Sequence, residues 1–493
     1  MNTTAHVNVH PDTAQVTRFP VTVRVGLFFD GTGNNRVNSG IAAHCREQMQ
    51  AGQQEHTREC AGRHAGSHGS YTNDYSNIAR LFELYRKQAV ARRETDGWKV
   101  YWPVYIGGVG TTSGGRDSRW PGQSLGRGST GVLAKVDKAV SRLAECLALF
   151  ALDNPGCVID VLELDIFGFS RGAASARHLV NEILKQERGA LGRLLADTAL
   201  AWSPTFGWQQ GSVRIMLVGL FDTVAAVGGW RDLGNVRDSH NRRVNLYLPP
   251  GCARQVLHLV ARDEWRRNFA LNSIAPGWER EIVLPGAHSD IGGGYHQLTY
   301  EEVLMSRPHT SVVGRYVRDE DSPAWREAEA DLQAMDAAYW VDPADPHACL
   351  QVQSSTVASA RHAAGSGGRL VMATVCMRRQ VCGHLSRIHL RIMHTLACDE
   401  GVPFEAIGDS PDLALPPALE DICRRLIGQA RGDTVGLTPE QQQLLRWRYI
   451  HHSAHWEPLI GTLGGLGDAL FVHAPQPGGR KIHPNVAPSD YPY

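Results

Sequence analysis

The chain has 493 residues, enough for about three ordinary domains or one large α/β domain with an appended region, so its core needs no staples. Hydrophobic residues make up 42% and charged residues 20%, which excludes a disordered chain. Lys+Arg and Asp+Glu both number 50, so no global basic field exists to draw nucleic acid or anionic lipid.

Residues 1–15 lack the basic cluster and apolar run of a signal peptide, so synthesis in the cytoplasm without one is expected. No uncharged apolar stretch approaches the ~20 residues of a membrane span. The longest candidates, 213–229 and 456–473, are interrupted by Asp222 and by Glu457 and Asp468. The ten cysteines are scattered without a C-x-x-C pair, so thiols are expected.

Residues 1–20 read as a loose lead-in. The run 21–29 is short, apolar and β-branched, as a buried parallel strand should be, and it ends in the polar turn Asp30-Gly31-Thr32-Gly33-Asn34-Asn35. Residues 36–72 are polar and rich in His, Gly and Gln, and read as a surface insertion. Ile78, Leu81, Phe82 and Tyr85 then mark one face of a helix. A strand at 99–106 leads to a Gly/Ser/Arg-rich loop at 107–130, and Val132, Val136, Val140, Leu143, Leu147 and Phe150 stripe the next helix. Strands follow at 161–167, 213–220 and 281–284, with another helix from about 172.

Alternating strands and helices over 21–300 imply a mostly parallel sheet with helices on both faces. Beyond 300, segments 324–340, 383–398 and 415–428 are helical by period, so 301–493 reads as a helical extension or cap. Its last forty residues are rich in Gly and Pro and are expected to drape back over the core.

The strand at 161–167 runs into Gly168-Phe169-Ser170-Arg171-Gly172, a G-x-S-x-G pattern with a helix directly after it. The pattern alone is weak; its strand–turn–helix setting is what a nucleophile elbow needs. A serine hydroxyl requires a base to take its proton, and the base requires an orienting carboxylate. The order Ser, Asp, His is available. Asp222 follows the strand at 213–220, and His288 follows the strand at 281–284, both on the sheet edge where open α/β folds keep their ligands. The rival acid is Asp165, inside its strand. The rival bases are His178, on the helix after the elbow, and His451 or His452 in 449–456. For the oxyanion, the backbone N–H of Arg171 and that of Gly31 or Thr32 are the candidate donors.

Each member of the trio has a bland alternative, Asp222 as a helix N-cap and His288 as a loop histidine. Asp30-Gly31-Thr32 partly fits an aspartyl phosphatase loop, but Thr32 stands where a second Asp belongs. His44, Cys45, His56, Cys60, His64 and His68 crowd the polar insertion without a regular zinc spacing, so neither a metal nor a cofactor is expected. The apolar, Gly-rich segment 459–472 reads as a lipid-facing lid or as buried packing.

Five stretches then stand together: Phe28-Phe29-Asp30-Gly31-Thr32-Gly33-Asn34-Asn35, Ser76-Asn77-Ile78-Ala79-Arg80-Leu81, Gly168-Phe169-Ser170-Arg171-Gly172-Ala173-Ala174, Phe221-Asp222-Thr223-Val224 and His288-Ser289-Asp290-Ile291-Gly292-Gly293-Gly294-Tyr295. In this order the chain resembles the first family of bacterial type VI secretion lipase effectors, which share an uncharacterised α/β-hydrolase-like domain. The resemblance covers about 21–295, and 449–456 resembles a later landmark. It implies an α/β-hydrolase-like fold with nucleophile Ser170, acid Asp222 and base His288. It further implies phospholipase A activity on membrane glycerophospholipids and delivery by a secretion spike protein. Toxicity in a competitor's periplasm and a cognate immunity protein are also implied. Larger members carry a long extra C-terminal region, so a separate membrane-anchoring domain is not expected in this sequence. A serine esterase acting on neutral lipids or small soluble esters, and a non-catalytic adaptor on the same scaffold, remain the alternatives.

Overall fold

Alternate residues of 19–29 point to opposite sides, and both sides are buried over 23–29, as in a strand covered on two faces. The computed structural model describes residues 18–50, 71, 73–113, 130–196, 200–225, 244–358, 368–456 and 473–490. In chain order its first elements are β1 (Phe19–Phe29), α1 (Arg36–Gln50), α2 (Asn77–Leu84), β2 (Gln88–Glu94), β3 (Gly97–Ile106) and α3 (Val132–Asp153). Then come β4 (Cys157–Phe169), α4 (Arg171–Leu184), α5 (Ala190–Leu195), β5 (Val213–Phe221), β6 (Gln255–Ala261), β7 (Leu271–Asn272), β8 (Glu281–Leu284) and α6 (His288–Gly292). The later part holds β9 (Thr299–Leu304), β10 (His309–Gly314), α7 (Pro323–Ala334), α8 (Ala337–Trp340), β11 (Cys349–Ala358) and β12 (Gly368–Val381). It closes with α9 (Leu385–Asp399), α10 (Pro417–Arg431), α11 (Pro439–Arg448) and β13 (Ile482–His483).

A seven-stranded sheet runs in the order β2-β3-β1-β4-β5-β6-β8. Every pair in it is parallel except β2 with β3. On one face, Val23, Val25 and Leu27 of β1 pack with Leu147 and Phe150 of α3 and Val180 of α4. On the other, Phe28 of β1 and Phe167 of β4 pack with Ile78 and Leu81 of α2 and with Ile388, Ile392 and Leu396 of α9. Burying each such side chain contributes about 1.5–3 kcal/mol, so α9 is as much a layer of the main core as α3 is.

The region after 300 is not simply helical. β9, β10, β11 and β12 form a four-stranded antiparallel sheet on which α7 packs through Ala324 and Ala328. Its longest strand contains the run 370–377, apolar except for Thr374, with no period of two to distinguish it from a buried helix. The helical readings at 383–398 and 415–428 correspond to α9 and α10. The reading at 324–340 divides into α7 and α8, because Met335 leaves helical geometry and Asp336 caps the second helix.

Two further corrections concern the first half. The polar insertion begins with a 15-residue helix, α1, that buries Asn38, Ser39 and Ala42. Eight described cysteines are thiols, but Cys45 is disulfide-bonded. No spacing rule marks that cysteine out. The remainder of the insertion, with His56, Cys60, His64 and His68, lies outside the described residues. Among the described residues no group of three or more His, Cys, Asp or Glu side chains is placed to hold a metal, and no helix is long and apolar enough to cross a membrane.

One charged pair is sunk into the sheet. Arg24 on β1 reaches Asp165 on β4 through Nε and Nη2 at 2.8 and 2.9 Å, and the Tyr85 hydroxyl donates to the same carboxylate at 2.8 Å. Asp165 is wholly buried, so removing it strands a guanidinium inside the protein. Asp165→Ala is expected to lower unfolding stability by about 3–5 kcal/mol, read from the urea midpoint. A change under about 1 kcal/mol would mean that Glu163, 3.8 Å from Arg24, takes over the pairing.

Candidate active site

The turn after β4 is tight because its glycines leave no alternative. A Cβ on Gly168 would lie 2.6 Å from Ala173 Cα, and one on Gly172 would lie 2.3 Å from the Phe29 and Asp30 carbonyl oxygens. With α4 pressed this closely onto the ends of β1 and β4, Ser170 adopts φ 57° and ψ −125°, a strained conformation for a residue with a side chain. Its own N–H donates to the Phe221 carbonyl at 3.1 Å, so the serine sits directly across from the end of β5.

Asp222 is the next residue along β5 and also has positive φ, 41°. Its N–H donates to the Leu259 carbonyl at 2.8 Å, and its Oδ1 accepts from the Ala261 N–H at 3.0 Å. The carboxylate therefore reaches across the end of β6. There its Oδ2 meets Nδ1 of His288 at 2.5 Å. β6, which no apolar run in the sequence marked, lies between β5 and β8, so Asp222 and His288 do not stand at neighbouring strand ends. The side chain of Asp222 spans the extra strand.

His288 opens α6 and is 4% exposed. Its ring lies between Phe169, at 4.7 Å between centroids, and Phe269, at 5.0 Å. Burial lowers its pKa against the opposing pull of Asp222, so the imidazole is neutral near pH 7, as a general base must be. Burial works to raise the Asp222 carboxyl, but Arg480 and then His288 outweigh it and hold the group well below the usual carboxylate range. Among the described residues no hydrogen bond joins Ser170 Oγ to the imidazole, whose side-chain partner is Asp222. Such contacts are often long in unliganded sites and close when substrate binds.

The rivals are engaged elsewhere. Asp165 is held by Arg24 and Tyr85. His178 Nδ1 accepts from the Asn245 N–H at 3.1 Å. His451 pairs through Nδ1 with Asp290 Oδ1 at 2.7 Å and stacks on Tyr295, and the His452 ring packs edge-on against Trp265 and Trp340, at 6.0 and 5.1 Å between centroids.

Around the proposed oxyanion position the loop after β1 divides its donors. The Gly31 N–H is taken by Asp30 Oδ1 at 2.7 Å, which leaves Thr32 as the candidate from this loop. Thr32 Oγ1 is buried with no hydrogen-bond partner in the structure. Asp30 is itself buried and bonded by the Tyr105 hydroxyl at 2.5 Å, and burial raises its carboxyl pKa, so it shapes the loop rather than attacking anything. The N–H of Arg171 stands at the first position of α4, immediately after Ser170.

Several residues at this site escaped the sequence reading. Arg480 grips Asp222 at both oxygens, Nη1 to Oδ1 at 2.7 Å and Nη2 to Oδ2 at 2.8 Å. Glu264 accepts the His288 N–H at 3.2 Å and pairs with Arg266, whose guanidinium lies 3.3 Å from the centre of the Phe269 ring. No local pattern announces either, since both act across long stretches of chain. The possible lid at 459–472 lies outside the described residues.

Comparison with known proteins follows the same lines. The family model for the type VI secretion phospholipase effector Tle1-like catalytic domain matches residues 199–310, which include Asp222 and His288 but not Ser170. The structure of the Tle1 effector bound to the VgrG spike of the type VI secretion system is similar at 30% identity and a TM-score of 0.68. That alignment covers 89% of this chain and 85% of that one. A crystal structure of an uncharacterized protein from Pseudomonas aeruginosa aligns at 17% identity and a TM-score of 0.34, over 87% of this chain and 53% of that one. No curated protein matches.

Proposed function

Because the chain belongs to the Tle1 family of type VI secretion phospholipase effectors, we propose that it is a serine-dependent phospholipase A with an α/β-hydrolase-like core, delivered as an antibacterial effector. The observation that carries this reading is the buried Asp222–His288 hydrogen bond beside a serine held at positive φ.

In the proposed reaction Ser170 Oγ attacks the acyl carbonyl carbon of a membrane glycerophospholipid while His288 Nε2 takes the hydroxyl proton. Asp222 holds the Nδ1–H tautomer and stabilises the imidazolium that forms. The N–H of Arg171 and, at Thr32, the buried hydroxyl that has no other partner receive the oxyanion, each contributing on the order of 3 kcal/mol. His288 then returns the proton to the leaving lysophospholipid oxygen, and water, activated by the same imidazole, releases the fatty acid.

The relative bound to its spike supports carriage of this chain by a spike protein as well. Action in a target-cell periplasm, and a cognate immunity protein in the producer, follow from the same family reading. The purified chain is expected to release fatty acid from phospholipid vesicles faster than from short-chain soluble esters. The reverse preference would favour the small-ester alternative, and no release from either would favour the non-catalytic adaptor. Thr32→Val is expected to lower kcat on the order of 10²-fold with little change in KM, as loss of a donor used only in the transition state should. A proportional rise in KM at constant kcat would remove Thr32 from that role.

A further inference from the structure

A full cation occupies both oxygens of Asp222. The cation comes from the far end of the chain. Arg480 donates through Nη1 and Nη2 to the carboxylate and through Nε to the Phe269 carbonyl at 2.7 Å. Phe269 is one of the two rings that flank His288, so one guanidinium fixes both the acid and a wall of the base's pocket.

The segment carrying Arg480 is pinned on either side. Before it, the Arg267 N–H donates to Ala474 O at 2.9 Å and the Gln476 N–H to Trp265 O at 2.8 Å. After it, β13 pairs in parallel with β7, and Asn485 Oδ1 accepts from Arg177 at 3.1 Å and from the Leu248 N–H at 2.9 Å. Arg480 is thus presented by backbone pairing on both flanks.

Resting on the reading of Ser170, His288 and Asp222 as a catalytic trio, we propose that Arg480 is a positioning residue. Its two-pronged grip sets the plane of the Asp222 carboxylate so that Oδ2 aims at His288, which makes the segment 473–490 part of the catalytic apparatus. A planar fork suits this task, since it fixes two oxygens at once where an ammonium would hold one. The fork also imposes a cost on catalysis. A positive charge on the acid weakens its stabilisation of the imidazolium, so the site gives up some basicity in exchange for geometry.

The charged and titratable groups that face the pair are Glu264 and Arg266 from the stretch after β6, His258 from β6 and Arg480 from the C-terminal segment. Glu264 is balanced by Arg266. The counter-charge of Arg480 is Asp222 itself, so removing Arg480 changes the charge on the very acid that the imidazole faces.

The test is the pH profile of kcat/KM on phospholipid vesicles for the full chain, with thermal melts to verify folding. Arg480→Gln removes the charge, so the imidazolium is better stabilised. The acid limb is expected to move up by about one pH unit, and kcat to fall at least tenfold. Arg480→Lys keeps the charge but not the fork, so the limb should stay at the wild-type position while kcat still falls. An unmoved limb in Arg480→Gln, or a Lys variant with wild-type kcat, overturns the proposal. Should the Gln variant fail to fold, the Lys variant alone decides. Activity that survives Ser170→Ala would instead overturn the trio itself, so the two failures are distinguishable.

Discussion

Ser170→Ala is expected to fold as the wild type does and to lose roughly 10⁴-fold or more in kcat. The side chain is buried, and alanine removes one oxygen without adding volume. Both residues bear the same penalty at φ 57°, so the elbow keeps its shape. What disappears is the proposed nucleophile. Activity that remains arises from the oxyanion donors and from substrate binding, which alone give some 10³–10⁴-fold over water in related chemistry. Fatty-acid release within tenfold of wild type, in a protein that melts normally, would mean that another group attacks the ester.

The second large effect is expected at Asp222. Asp222→Asn should lower kcat by roughly 10⁴-fold, because an amide facing His288 selects the wrong imidazole tautomer. Here a stability loss accompanies it. Asp222 is completely buried, and the side chain of Arg480 is only 9% exposed, so the Asn variant leaves a guanidinium without its counter-charge. A destabilisation of about 3–5 kcal/mol follows from breaking such a pair from one side.

The pH dependence has a definite sign. The folded-state pKa of Asp222 is depressed, so the stability it contributes is fully present above the unfolded carboxylate value, near 3.9. It is lost as the pH falls below that value toward the lower folded pKa. At pH 7 wild type and variant should therefore differ by the full amount, and the difference should shrink in acid. A urea titration at pH 7 and at pH 3 checks it. Equal stability at pH 7 would mean that Arg480 finds another partner.

Much of the sheet was readable because its strands are buried on both faces and announce themselves as apolar runs closed by polar turns. β1, β3, β4 and β5 fall where the runs 21–29, 99–106, 161–167 and 213–220 lie. β6 does not announce itself although Val256, Leu257, Leu259 and Val260 are apolar, because His258 interrupts them. That histidine is accommodated by a partner no sequence window contains: its Nδ1 meets Glu281 at 2.9 Å while its Nε2 accepts the Thr223 N–H at 3.0 Å. The interruption hides the extra strand that Asp222 must cross.

The site itself divides in the same way. Ser170 lies in a local pattern whose glycines have a steric reason, and Asp222 and His288 lie just past strand ends, so spacing along the chain leads to them. Arg480 sits in a Gly/Pro-rich tail with no periodicity, 258 residues from its partner. The pairing of Asp290 with His451 spans 161 residues. Contacts of that kind arise from closure of the whole fold, and only coordinates reveal them.

The most direct test of the trio is covalent. A fluorophosphonate ester labels only a serine whose hydroxyl is activated by a neighbouring base and whose oxyanion position is furnished with donors. On the purified chain, peptide mass spectrometry should find one phosphonylated residue, Ser170, and His288→Ala should slow the labelling by orders of magnitude. Adduct formation at a different serine, or labelling of Ser170 at an unchanged rate in His288→Ala, would contradict the account.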